Sequence, residues 1–250
     1  MTMLNLVGFP VDLVALHRLA EQRGLVRHQV MDEGRVLHHL LGETFGPGAL
    51  QPFRLLPRRG GRSGMLYAYT RNDPADLKRM AETVALPESQ AVMRVRDVQS
   101  RPLPNHLFAA GRILGFDILL RPVVRVRERA GARNAGAERD VYQVKAEQAF
   151  PDHRGAMAGS GATRESIYVG WLQARLGGAA DLLPDKTRLN HFQRRHVLRG
   201  GRAIEGPHAV LHGTLRIGDP ALFYDCLARG VGRHRAYGYG MLLLRPPQRC

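Results

Sequence analysis

Gly230–Pro246 reads GVGRHRAYGYGMLLLRP, and it joins the end of a helix to the start of a strand. On its N-terminal side Asp219 is placed to cap a helix, Pro220 fits the first helical position, and Gly230 stands where a left-handed terminal residue is wanted. On its C-terminal side Met241–Leu244 is apolar for long enough to be a buried strand. Between them lie four glycines in eleven residues, interleaved with Arg233, His234, Arg235, Tyr237 and Tyr239. Two readings stand. The glycines supply positive φ angles for a tight turn, or they let backbone N–H groups approach phosphates while the arginines add charge.

Working outward, Val210–Ile217 and Leu189–Leu198 read as strands. Thr163–Leu176 reads as a helix burying Ile167, Tyr168, Trp171, Leu172 and Leu176. Ile113–Arg127 is a β-rich run followed by the loop GARNAGAER (131–139). The second half is therefore β-α-β-β-α-β. In the first half, Met3–Phe9 reads as a strand, Asp12–Arg23 and Asp32–Phe45 as helices, and Phe53–Leu56 and Met65–Tyr69 as strands around PRRGGRSG. A helix from Asp73–Pro74 to about Ala85 and a strand at Ala91–Val98 complete the same order, with one extra helix near the start. The fold class is α+β: two tandem ferredoxin-like (βαββαβ) domains, 1–105 and 106–250, joined at RPLPN (Arg101–Asn105). RNA-recognition modules use this architecture, though fold alone does not fix function.

The chain of 250 residues carries 37 basic against 22 acidic residues, net +15, with Lys78, Lys145 and Lys186 its lysines. An arginine-dominated excess favours bidentate and stacking contacts with phosphates and bases, so nucleic acid is the leading partner class. Cys226 and Cys250 cannot build a disulfide framework. The first ten residues lack the pattern of a signal peptide and no apolar run reaches membrane-spanning length, so a cytoplasmic protein with no membrane partner is expected.

Basic residues concentrate in the second half. Lys186–Arg202 contains Arg194, Arg195 and Arg199 and no acidic residue, and Arg121–Arg139 holds six arginines against two glutamates. Alternate positions of a strand share one face, so some of these arginines line a single surface, either a phosphate-tracking groove or a solvated sheet face. The chemistry falls to histidine, because HExxH, CxxC, P-loop and nucleophile-elbow patterns are missing and no histidine spacing fits a metal site. His38 lies just off the apolar stripe Val36–Phe45 of its helix, partly desolvated yet reachable. It is either an ordinary surface residue or an acid–base group working near neutral pH. Arg35 sits one turn earlier on the same side.

Three blocks carry a resemblance: VLHHLLGETFG (Val36–Gly46) with QPFRLL (Gln51–Leu56), YVGWLQARLG (Tyr168–Gly177), and the closing GVGRHRAYGYGMLLLRP. In these blocks, spaced over nearly the whole chain, it resembles the CasE family of CRISPR-associated endoribonucleases, the repeat-cleaving subunits of type I-E Cascade complexes. The resemblance implies two tandem ferredoxin-like domains that bind the CRISPR repeat RNA hairpin and cut at its 3′ base, with other Cascade subunits as partners. It implies no cofactor and no metal: the upstream ribose 2′-hydroxyl attacks the scissile phosphate, leaving a cyclic phosphate and a 5′-hydroxyl. By position His38 is the acid–base catalyst, removing the 2′-OH proton or protonating the leaving oxygen.

One position departs from the family. Many members carry tyrosine where this chain has Arg35, which cannot give up a proton at neutral pH but can stabilise phosphorane charge. Either Arg35 plays that electrostatic part or this member is slower or positions substrate differently. The family's basic loop corresponds to Arg129, Arg133, Arg139 and Lys145, and Gly232, Arg233 and Arg235 fall in its glycine-rich block. Together with Arg194, Arg195 and Arg199 these are the expected RNA-binding residues. The alternative keeps the binding and drops the cleavage: a non-catalytic hairpin-binding subunit of the same complex. A third reading is an unrelated basic adaptor of the same fold.

Overall fold

A computed structural model describes residues 3–27, 30–125, 137–149, 162–199 and 202–247. The first sheet begins with β1 (Leu4–Asp12), which runs directly into α1 (Leu13–Gln22) because Asp12 turns its carboxylate to accept the Ala15 N–H. A short ribbon, β2 (Val26–Arg27) with β3 (Val30–Met31), leads to α2 (Glu33–Phe45). Its cap is Asp32, which accepts the Arg35 N–H at 3.2 Å. The hairpin β4 (Phe53–Pro57)–β5 (Ser63–Thr70) follows, then α3 (Pro74–Val84), α4 (Pro87–Val92) and β6 (Gln99–Leu103). The antiparallel order is β4-β5-β1-β6.

The second sheet begins at β7 (Ile113–Leu120). Next come the ribbon β8 (Val123–Arg125) with β9 (Glu138–Asp140), α5 (Val141–Ala149) and α6 (Arg164–Leu176). β10 (Ala180–Leu182) and the long hairpin β11 (Arg188–Arg199)–β12 (Arg202–Ile217) precede α7 (Pro220–Arg229) and β13 (Leu243–Arg245). The order is β10-β12-β7-β13, with β11 paired along the rest of β12. In each half the last strand lies beside the first, which is the ferredoxin-like arrangement.

Helix α2 buries Val36, Leu37, Leu40 and Leu41 in one core with Phe9, Phe53 and Leu66. The stripe is the reason the helix forms against this sheet, and it fixes which way His38 points. Leu4, Tyr69 and Leu103 of the first sheet share the second core with Trp171, Phe223 and Met241. Polar bonds tie the halves as well. The Leu4 N–H donates to the Tyr224 hydroxyl at 2.5 Å, the Tyr69 hydroxyl donates to the Leu242 carbonyl at 2.8 Å, and Arg54 pairs with Asp117 at 3.3 Å. The second oxygen of Asp32 accepts the Leu198 N–H at 3.0 Å, so one carboxylate both caps α2 and holds the β11–β12 hairpin.

Three expectations from sequence need correction. Ala91–Val98 is not a strand: α4 covers its start, and a 3₁₀ turn spans Val95–Asp97. Only Met93 is extended enough to bridge Val11, which is why the alternating apolar residues read as β. The strand lies instead at Gln99–Leu103, running into the expected linker Arg101–Asn105. Pro102 sits there because β6 is an edge strand, where a missing N–H costs no ladder bond. The run Ile113–Arg127 is not continuous either, since Arg121–Pro122 separates β7 from β8.

Candidate active site

His38 is half-buried on α2 and His39 is exposed, as the helical stripe requires. Gln51, in the segment leading to β4, brings Nε2 to 3.4 Å from His38 Nδ1. The Tyr237 ring lies 5.0 Å from the His38 ring, centroid to centroid, at an interplanar angle of 59°. Arg35 is half-buried one turn before His38, its N–H held by Asp32.

The glycine-rich block makes this meeting possible. Gly230, Gly232, Gly238 and Gly240 all have positive φ, so the tight-turn reading holds for every one of them. At Gly232 a side chain would also collide with Trp171, at 2.8 Å from a built Cβ; packing against α6 accounts for that glycine. His234 is left-handed too, at φ 60°, uncommon for a residue with a side chain. Glu138 holds it in place, with His234 Nε2 at 2.7 Å from one carboxylate oxygen and Arg233 Nε at 2.7 Å from the other. The 3₁₀ turn Arg235–Tyr237 follows, and its last residue lands on α2.

Burial alone raises the Glu138 carboxyl, but the bonds and charges of His234 and Arg233 outweigh it and hold the group down at about 2. A depressed carboxyl contributes stability above its ordinary value of 4.5 and loses it as pH falls toward 2. Glu138→Gln is therefore expected to lower Tm at pH 7. The gap from wild type should close as pH falls from 4.5 toward about 2; a Tm series against pH checks it.

A groove of about 790 Å³ is lined by Gln51, Arg229, Arg233, Arg235 and Tyr237 among others, and His38 meets two of these residues, Gln51 and Tyr237. Arg233 and Arg235 are exposed, and Arg235 donates to the Arg229 carbonyl at 2.8 Å. Arg175 stacks on Trp171 at 3.7 Å and is less basic than usual through burial and the nearby charge of Arg233. A second cavity of about 350 Å³ separates α2 from the β11–β12 hairpin. His208 lines it, pulled down to about 3 by burial and surrounding arginines, and its Nδ1 lies 3.1 Å from the Tyr239 hydroxyl. It is neutral at neutral pH and adds no charge to the cleft.

The structure thus brings Gly232, Arg233 and Arg235 to one groove and His38 against two of its walls, Gln51 and Tyr237, with Arg35 one turn before His38 on α2. Arg194 and Arg195 fall elsewhere. Arg194 is held by both oxygens of Glu205, at 2.7 and 3.2 Å, while Arg195 faces Glu33 of α2 at 3.8 Å. Consecutive strand residues face opposite sides, so the two do not line one surface. Arg139 belongs to β9, and Lys145 is exposed on α5. Arg129 and Arg133, and the side chain of Arg199, lie outside the described residues. Arg121, counted with the basic run, is buried, donating to the Ile204 carbonyl at 3.2 Å. Sequence reasoning missed Gln51, Arg175, Arg229 and Tyr237. Gln51, Arg175 and Tyr237 lie inside the three blocks that carry the resemblance, and Arg175 also follows Trp171 by four residues on α6, whereas Arg229 left no local signal.

Fold and site together define a tandem ferredoxin-like protein with a half-buried histidine at the edge of an arginine-lined groove. The chain belongs to the CRISPR-associated protein family, whose model matches residues 13–246. Among solved structures it is similar to Thermus thermophilus Cse3 bound to an RNA representing a pre-cleavage complex, with 18% identity and a TM-score of 0.63 over 98% of this chain and 100% of that one. It is also similar to Cas6e from Escherichia coli K-12, at 17% identity and a TM-score of 0.58 over 98% of this chain and 100% of that one. A chain of a CRISPR RNA-guided surveillance complex matches at 16% identity and a TM-score of 0.51, over 97% of this chain and 99% of that one. No curated protein matches the chain.

Proposed function

We propose that this chain is an endoribonuclease that cuts CRISPR precursor RNA at the 3′ base of the repeat hairpin and yields mature guide RNA. The observation that carries the proposal is the meeting of His38 with the glycine-rich block at a groove lined by Arg229, Arg233 and Arg235. In this reading His38 is the acid–base group and the groove arginines hold the phosphate backbone. The RNA-bound Cse3 relative and the surveillance-complex relative support the same role. They also support other subunits of a Cascade complex as partners.

The reaction needs no metal ion in this account. The 2′-oxygen attacks the scissile phosphorus, the bond to the 5′-oxygen breaks, and the products are a 2′,3′-cyclic phosphate and a 5′-hydroxyl. One proton leaves the 2′-hydroxyl and one reaches the departing oxygen. With Nδ1 toward Gln51, His38 moves one of these protons through Nε2. Arg35 stabilises charge on the phosphorane, and the groove arginines orient the backbone. An A-form stem presents a deep, narrow major groove, so recognition rests on phosphate geometry and hairpin shape.

Arg35 also favours a second reading, a subunit that binds the hairpin without cutting it, because no proton can pass through a guanidinium at neutral pH. Binding alone separates both readings from an unrelated adaptor. The repeat hairpin is expected to bind more tightly than a single strand of the same composition. Replacing Arg229, Arg233 and Arg235 singly by alanine is expected to reduce the slope of log K against log salt by about one for each arginine that holds a phosphate. Equal affinity for hairpin and single strand would count for the adaptor.

A further inference from the structure

We infer that Tyr237 is a positioning residue for His38, setting the orientation of the imidazole from the opposite end of the chain. The inference rests on the ribonuclease reading above and adds a residue to it. Tyr237 meets α2 at two successive turns. A Cβ built on Gly34 would stand 2.2 Å from the Tyr237 carbonyl oxygen, so the main chain of Tyr237 is seated directly on the helix there. Four residues on, on the same face, the Tyr237 ring lies against His38.

An imidazole on the border of a helix stripe has a broad second torsion, and a proton-transfer group needs that torsion narrowed. Gln51 meets one edge of the ring, and Tyr237 supplies an aromatic surface at 5.0 Å, tilted 59°. The tyrosine is itself firmly placed. Its N–H donates to the His234 carbonyl at 2.9 Å, Gly238 turns the chain at φ 83°, and Glu138 anchors His234. Tyr237 also borders both the arginine groove and the cleft between α2 and the β11–β12 hairpin. The contact described between Tyr237 and His38 is ring to ring.

The test compares Tyr237→Ala, Tyr237→Leu, Tyr237→Phe and His38→Ala with wild type by single-turnover cleavage and by hairpin Kd. In parallel, NMR follows the His38 Cε1–H signal in histidine-labelled protein, assigned by its loss in His38→Ala. Tyr237→Ala is expected to slow cleavage about 10- to 100-fold, the scale of a misplaced reacting group, with Kd within about threefold. Tyr237→Leu, which keeps apolar bulk for folding, is expected to share the loss, and Tyr237→Phe to recover most of it. The His38 signal is expected to move in the alanine and leucine variants and to stay near its wild-type place in the phenylalanine one. The inference is overturned if Tyr237→Ala cuts at the wild-type rate, if its loss lies wholly in Kd, or if Tyr237→Phe is as slow as Tyr237→Ala. If wild type does not cut at all, the ribonuclease reading fails first, and an unmoved His38 signal would then overturn this inference on its own.

Discussion

His38→Ala is expected to bind the repeat hairpin as wild type does and to cut it about 10²- to 10⁴-fold more slowly, the usual contribution of a positioned proton-transfer group. The split follows from where His38 sits. Its neighbours Gln51 and Tyr237 line the groove, whereas the cations expected to hold RNA are Arg229, Arg233 and Arg235, on other elements. Removing the imidazole leaves all three of those arginines in place. His39→Ala, one residue further round and exposed, separates a specific role from a general loss of histidine on α2. A His38→Ala protein that cuts at the wild-type rate would move the chemistry elsewhere.

The second large effect is on folding. Asp117 is buried on β7 and gathers three partners: Arg54 Nη2 at 3.3 Å, Arg245 Nη2 at 2.8 Å and His212 Nε2 at 2.6 Å. Arg54 comes from the first sheet and the other two from the second, so the carboxylate joins the halves. Arg54 is only 8% exposed, its Nε has no protein partner, and burial already disfavours its charge. Asp117→Ala would leave that guanidinium buried without a counter-charge, and an uncompensated buried charge costs about 3–5 kcal/mol. Urea denaturation is expected to show a destabilisation of that order, with recovery when Arg54→Met is added. A loss of under about 1 kcal/mol would mean that water reaches Arg54 and screens it.

Much of this architecture was legible because local chemistry and fold agree. Asp219 caps its helix as its sequence predicts, Asp32 and Asp73, read as helix starts, cap theirs, and the apolar stripe on α2 is enough to put His38 at the core's edge. The failures have physical causes. Pro102 reads as a breaker until β6 is seen to be an edge strand. Glu205 neutralises Arg194 across a hairpin whose register the sequence does not state. Arg121 looks like surface charge but passes against Gly206, where a side chain would strike its guanidinium at 2.4 Å. The site divides in the same way. His38, Arg35, Arg233 and Arg235 could be singled out from their own segments, while Gln51 and Tyr237 become neighbours of His38 only after remote parts of the chain pack.

The most direct test of the account is single-turnover cleavage of the cognate repeat hairpin by wild-type protein in excess EDTA, with both product ends identified. The account predicts one cut at the 3′ base of the hairpin, leaving a 2′,3′-cyclic phosphate on one fragment and a 5′-hydroxyl on the other. Tight hairpin binding with no cleavage, or cleavage that requires an added divalent cation and leaves a 5′-phosphate, would contradict it.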